Sequence, residues 1–186
     1  MKALFARNFF RASKTQGSLI PSSRYLITRL LDKIDWSRTR VIVEYGPGVG
    51  TMTAEFLRRM SADSTLVVIE TDNMFVQCLQ ESLLDSRLRI VHGSAADVQI
   101  ILTRLGCGPA DCIVSGIPFS SMSDVLGEQI ICSTHSVLKP SGTFLVYQFS
   151  GKLRTQLRRV FHHIECEFEW RNFPPAWIFS ARRDSP

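Results

Sequence analysis

Three glycines and two carboxylates are the residues most able to do chemistry. In Val41–Thr53, VIVEYGPGVGTMT, a run of Val and Ile ends at Glu44, and glycines stand at 46, 48 and 50. Glycine lets backbone N–H groups approach a ligand closely, and the helix signal that follows aims those groups at an anionic or polar atom. The spacing departs from the dinucleotide fingerprint G-x-G-x-x-G, because Thr51 stands where its third glycine belongs. Glu44 adds a carboxylate at the strand tip, which suits a cationic ligand better than a pyrophosphate. Glu70 closes a second apolar run, TLVVIE, and can accept hydrogen bonds from both hydroxyls of a ribose. His92 and His135 share no metal-ligand spacing, and the five cysteines form no CxxC pair. No metal site is expected, and the thiols read as buried and reduced.

Alternating elements must position these groups. PSS followed by Leu26, Ile27, Leu30, Leu31 and Ile34 predicts a capped helix. RVIVEY is a strand, the glycine loop follows, and a helix runs to about Met60. TLVVIE, RLRIVHGSA, ADCIVSGIPF and LKPSGTFLVYQF are further strands. Helices are expected over 73–84, about 97–105, and GEQIICSTHSVL. This alternation predicts a parallel sheet with helices on both faces. The tail differs. IECEFEWR alternates, with Ile164, Cys166, Phe168 and Trp170 to one side and Glu165, Glu167, Glu169 and Arg171 to the other. It reads as a half-solvated strand, and AWIFSAR as its antiparallel partner. Tyr147, on the fifth strand, reads as core.

At 186 residues the chain suits one domain, with residues 1–36 as a basic amphipathic helix and cap and 37–186 as the main body. The net charge of +5 is uneven: residues 1–40 carry +7 and the remainder −2. On a helical wheel Met1, Leu4, Phe5, Phe9 and Ala12 share one side, with Arg7, Arg11 and Lys14 beside it. Asn8 interrupts the apolar side and Phe10 falls opposite. Residues 1–14 are therefore expected to meet an anionic membrane surface, with nucleic acid as the alternative polyanion. No apolar run approaches the ~20 residues of a spanning helix, and the N-terminus does not read as a secretory signal. The expectation is a cytoplasmic protein held peripherally at the inner membrane.

VEYGPGVGTMT, VVIETD, HGSAAD, SGIPF and LKPSGTFLV occur in the order of the class I S-adenosylmethionine-dependent methyltransferase motifs, over about residues 41–149. The chain resembles that family. The resemblance implies an α/β, Rossmann-like fold whose seven-stranded, mostly parallel sheet ends in an antiparallel C-terminal hairpin. It implies S-adenosylmethionine as cofactor, with contacts at Glu44, Gly46, Gly48, Gly50 and Glu70, and at Ser94 and Ala95. Ser94 departs from the pattern, since the family often has an acidic residue there to hold the adenine amino group.

Two groups within the family share this motif style. The ribosomal RNA adenine dimethyltransferases resemble the chain at EYGPGVGTMT, but they carry an N-L-P-Y type motif where this chain has SGIPF. They also have a helical RNA-binding domain that 186 residues cannot include. Bacterial phospholipid N-methyltransferases resemble it at GSLIPSSRYL (17–26), SGIPFSSM (115–122) and WRNFPPAW (170–177), outside the cofactor core. That resemblance implies methylation of the amine of phosphatidylethanolamine, and similar proteins methylate ornithine lipids. Tyr25, Ser115 and Gly116 are the candidates for the transfer site. Ile117 and Pro118 form its apolar lip, and Arg24 and Arg171 are placed to hold a lipid phosphate. A small-molecule amine methyltransferase and an inactive cofactor-binding module remain alternatives.

Overall fold

The β-branched runs become the centre of a sheet. In the computed structural model, which describes residues 22–185, VIVEY forms β1 (Val41–Tyr45) and TLVVIE forms β2 (Thr65–Glu70). β3 (Leu88–His92), β4 (Ala110–Ser115), β5 (Leu138–Gln148), β6 (His163–Glu169) and β7 (Ala176–Arg182) follow. Among the described residues the sheet has seven strands in the order β3-β2-β1-β4-β5-β7-β6. The first five are parallel, and β7 inserts antiparallel between β5 and β6. This is the architecture the sequence predicted.

Helices cover both faces because the central strands are apolar on both sides. α1 (Arg24–Leu31), α2 (Thr51–Arg59) and α3 (Asn73–Ser82) share one core with Ile42, Leu66, Val68 and Leu145. α4 (Val98–Arg104), α5 (Asp124–Val137) and α6 (Leu153–Leu157) share the other with Val43, Val67, Ile113 and Phe144. Side-chain caps start three of them: Ser23 on α1, Asp72 on α3 and Ser123 on α5. Each cap is worth ~1 kcal/mol. The Ser123 cap explains why α5 begins ahead of the GEQ expected to start it. α6 was not expected from the pattern, being only five residues long.

The chain leaves β1 to build β2 and β3 on one side, then returns to lay β4 on the other. At such a reversal the connections diverge and leave a crevice at the carboxyl ends of the strands. Here it lies between the glycine loop after β1 and the SGIPF segment ending β4.

Two expectations need correction. Of the β6 carboxylates only Glu165 stays solvated, because α1 and the Lys33 that follows it cover Glu167 and Glu169. Arg29 Nε lies 2.8 Å from Glu167 and its Nη1 3.3 Å from Glu169, while Lys33 pairs with Glu167. Glu169 is fully buried and is also held by Arg171 through bonds of 2.8 and 2.9 Å. The Arg171 pairing, helped by Arg29, holds the Glu169 carboxyl down at about 2 against the cost of burial. The cysteines are all free, but only Cys112 is buried; Cys132 is exposed, and Cys78, Cys107 and Cys166 are half-buried. A 3.6- or 2-residue period cannot tell a core position from one at an element's rim.

Candidate functional site

The glycine loop adopts the backbone that its composition allows. Gly46, Gly48 and Gly50 all have positive φ, at 65°, 55° and 79°, where a side chain would strain the backbone. Their duties differ. A Cβ on Gly46 would sit 2.5 Å from Ile117 Cγ2, so this glycine lets the loop touch the β4 segment. Gly50 is the N-cap of α2, and a Cβ there would meet Leu79 and Leu83 of the α3 region. Gly50 therefore serves packing, and it is not among the residues lining the crevice.

The two carboxylates sit on either side of this loop. Glu44 is buried, and its Oε2 accepts a 2.6 Å hydrogen bond from Thr53 Oγ1. Burial pushes the carboxyl up to about 8, opposed by the Thr53 bond and assisted by the charge of Glu70. Such a group is poised to ionise when a cation arrives beside it. Glu70 is already engaged at the end of β2. Its Oε1 accepts from the backbone N–H groups of Thr71 and Asp72 at 2.8 and 3.0 Å. Its Oε2 accepts from Gly48 N–H at 3.3 Å, tying the loop to β2 while leaving a lone pair on that oxygen.

Two cavities flank the loop. One of about 270 Å³ is lined by Glu44, Gly48, Gly116, Tyr147, Phe149 and Asn172, among others. The other, of about 220 Å³, is lined by Glu70, Gly93, Ser94, Ala95 and Ile117. Gly46 and Pro118 line both and form the neck between them. This divided space fits S-adenosylmethionine. Its amino-acid end, carrying the ammonium, suits the cavity with the buried carboxylate, and its adenosine suits the cavity with Glu70 and Ser94. Ser94 caps the short turn Ala95–Asp97 by accepting from Ala96 N–H at 3.2 Å, so its hydroxyl is partly committed.

The first cavity continues past the loop into space for an acceptor. Gly116 is essential to it: a Cβ there would lie 2.4 Å from the Tyr147 hydroxyl oxygen. Tyr147, which the sequence assigned to the core, packs its ring against the core that holds Ile42 and Leu145 and presents its phenol at the cavity wall, which Ser22 also lines. Burial raises its pKa, so it stays a neutral phenol at ordinary pH. The amides nearby are engaged in part. Gln148 Nε2 donates to the Ile117 and Tyr147 carbonyls at 2.6 and 2.8 Å. Asn172 accepts from Ser23 N–H at 2.8 Å and donates to the Pro174 carbonyl at 2.7 Å.

The remaining candidates fall elsewhere. Ser115 is fully buried, and its hydroxyl has no hydrogen-bond partner among the described residues. Tyr25, expected at the amine, lies instead in an outer surface recess with Arg24, Arg171 and Arg29. Arg24 donates to the Tyr25 hydroxyl at 2.9 Å, and the Arg171 guanidinium lies 4.5 Å from the ring centroid. The structure thus brings the two sequence-predicted arginines together around Tyr25, outside the cavity wall. The amphipathic pattern of residues 1–14 lies outside the described residues. Tyr147 was legible only as an aromatic on a buried strand, with no motif to single it out.

The model of the family described as "Ribosomal RNA adenine dimethylase" matches residues 10–155. The chain belongs to that family. It is a class I S-adenosylmethionine-dependent N-methyltransferase. The enzyme is 33% identical over 181 residues to the ornithine lipid N-methyltransferase of Singulisphaera acidiphila, covering 96% of this chain and 94% of that one. Ribosomal RNA small subunit methyltransferase A of Mycoplasma mycoides subsp. mycoides SC is 28% identical over 118 residues. That match covers 62% of this chain and 43% of the relative. In fold, the enzyme is similar to N-methyltransferase NodS from Bradyrhizobium japonicum WM9, with a TM-score of 0.70 and 14% identity, over 87% of this chain and 96% of that one. NodS has also been solved with S-adenosyl-L-homocysteine.

Proposed function

We propose that the enzyme transfers methyl groups to the primary amine of an aminolipid head group. The observation that carries this reading is the end-to-end similarity to an ornithine lipid N-methyltransferase, which includes the acceptor-side segments on both flanks of the cofactor core. The similarity to the ribosomal RNA enzyme takes in 43% of that protein. The acceptor cavity supports the same choice. A flipped base is read by several free polar groups on its edge and by stacking, whereas here Gln148 Nε2 is engaged with two backbone carbonyls and Asn172 is bonded to backbone through both its oxygen and its nitrogen. Ornithine lipid is the first acceptor to test and phosphatidylethanolamine, implied by the sequence resemblance, the second. The proposed place of action is the cytoplasmic face of the inner membrane.

When bound, S-adenosylmethionine supplies an electrophilic methyl group on a sulfonium. The protein's share is alignment for in-line attack, which can contribute several orders of magnitude. Glu44 would hold the cofactor's ammonium, and Glu70 and Ser94 its adenosine. The bare Gly116 backbone leaves room for the incoming nitrogen between the loop and Tyr147. The attacking amine must be neutral. Tyr147 cannot take its proton, because its own proton is held well above neutral pH. The phenol instead orients the amine, accepting a hydrogen bond from its N–H, and the proton passes to solvent.

The test is radiolabel transfer from S-adenosylmethionine to mixed micelles containing ornithine lipid or phosphatidylethanolamine, followed by lipid separation. Methylated lipid is the expected product. Label entering 16S ribosomal RNA and no lipid would overturn the proposal.

A further inference from the structure

Among the described residues, the strongly exposed aromatic side chains cluster at one edge of the molecule. Phe149 is 59% exposed, Trp170 71% and Phe173 79%. Phe149 follows the carboxyl end of β5, and Trp170 and Phe173 occupy the turn joining β6 to β7. β6 runs parallel to β5 because each pairs antiparallel with β7. Both connections therefore emerge at the edge where the glycine loop and Gly116 lie, and Phe149 and Asn172 line the same cavity. Water-exposed Trp and Phe in adjoining turns are unfavourable for a domain that remains fully solvated.

Basic groups surround them. Arg171 sits 5.9 Å from the Trp170 ring centroid and 4.5 Å from that of Tyr25, with Arg24 on the same ring. Lys152 is exposed beyond Phe149. Among the described residues no helix is long and apolar enough to cross a membrane.

We infer that Trp170 and Phe173, with Phe149 at the cavity mouth, form a bilayer-docking rim that seats the open cavity on an anionic membrane. Amphipathic aromatic rings favour the interface between head groups and acyl chains. Arginine and lysine beside them add attraction to anionic lipid that weakens with salt. A lipid amine then reaches Gly116 without its acyl chains leaving the membrane. This last point rests on the aminolipid reading, whereas docking itself does not.

The full-length protein is tested by sedimentation with phosphatidylglycerol–phosphatidylcholine vesicles, which contain no primary amine. The outcome is therefore independent of the acceptor's identity. The double variant Trp170→Ser/Phe173→Ser is expected to lower the partition coefficient about tenfold or more, by loss of inserted apolar area. Both side chains are exposed, so thermal stability and S-adenosylmethionine affinity stay as in wild type. Brominated acyl chains should quench wild-type fluorescence and lose most of that effect in the Trp170→Ser protein. Wild-type-like partition of the double variant would overturn the inference, as would unquenched fluorescence on vesicles to which the protein sediments. Loss of partition with lipid methylation in micelles intact supports it. A wild type that docks but methylates no lipid refutes the acceptor reading alone.

Discussion

Glu44→Gln gives the sharpest account of how the buried carboxylate works. In the free enzyme burial raises this carboxyl from 4.5 to about 8. At pH 7 ionising it costs about 1.4 kcal/mol, one pKa unit, or a factor of ten. If Glu44 must be charged to meet the cofactor's ammonium, affinity should rise about tenfold per pH unit from about 6 towards 8 and stop rising where the cofactor's own ammonium begins to deprotonate. Calorimetry in buffers of different ionisation enthalpy should find close to one proton released per cofactor at pH 6.5, and almost none at pH 9. Glu44→Gln should bind about 10–100-fold more weakly at pH 8.5, following the loss of a buried charged partner, and its own pH profile should be flat over this range. The same carboxyl has a consequence for stability. Its folded pKa lies above the unfolded one, so its contribution is complete below about 4.5 and is lost as pH rises through about 8. The loss is about 1.4 kcal/mol per unit, approaching 5 kcal/mol over the interval. The cofactor-free variant should therefore keep its melting temperature at pH 9 better than wild type does. Cofactor affinity independent of pH, with no proton release, would refute the assignment of Glu44 to a cationic contact.

Two further outcomes follow from the same geometry. Gly116→Ala places a methyl group 2.4 Å from the Tyr147 oxygen, so methyl transfer should fall at least about 100-fold while cofactor affinity, read by calorimetry, changes little. Tyr147→Phe alone should lower the rate with cofactor affinity near wild type, and because ring carbon Cζ would still lie 2.9 Å from the new methyl group it should not rescue Gly116→Ala; full rescue would refute the orienting role of the phenol. Glu169→Gln takes the carboxylate from Arg29 and Arg171, both of which stay in contact with solvent, and should destabilise the fold by about 1–2 kcal/mol in urea unfolding at pH 7. Because the Glu169 pKa is depressed to about 2, the wild-type advantage is present above about 4.5 and should vanish as pH falls towards 2.

Much of the fold was legible in the chain. Strands made of Val and Ile, separated by capped helices, leave few alternatives to a doubly covered parallel sheet, and IECEFEWR announced the hairpin. The placement of Glu44, Gly46, Gly48, Glu70 and Ser94 at one edge was readable because each lies at the carboxyl end of a strand or within a few residues after it. Gly50 shared that signal but faces Leu79, since spacing does not say which side of a loop a residue turns.

What the sequence determined by itself is the set of local conformations and, through the glycine spacing and two strand-end carboxylates, the methyl donor. What only the tertiary structure decided is everything that depends on residues distant along the chain meeting. Glu169 is buried because α1 brings Arg29 to it from 140 positions away. Tyr147 reaches Gly116 because β5 lies beside β4, and Tyr25 misses the cavity because its own helix carries it towards Arg171. The aromatic turns became a rim only when β7 reversed direction between β5 and β6. Periodicity records which face of one element is apolar. It carries no information about which other element covers that face, and that pairing chose the acceptor side of this site.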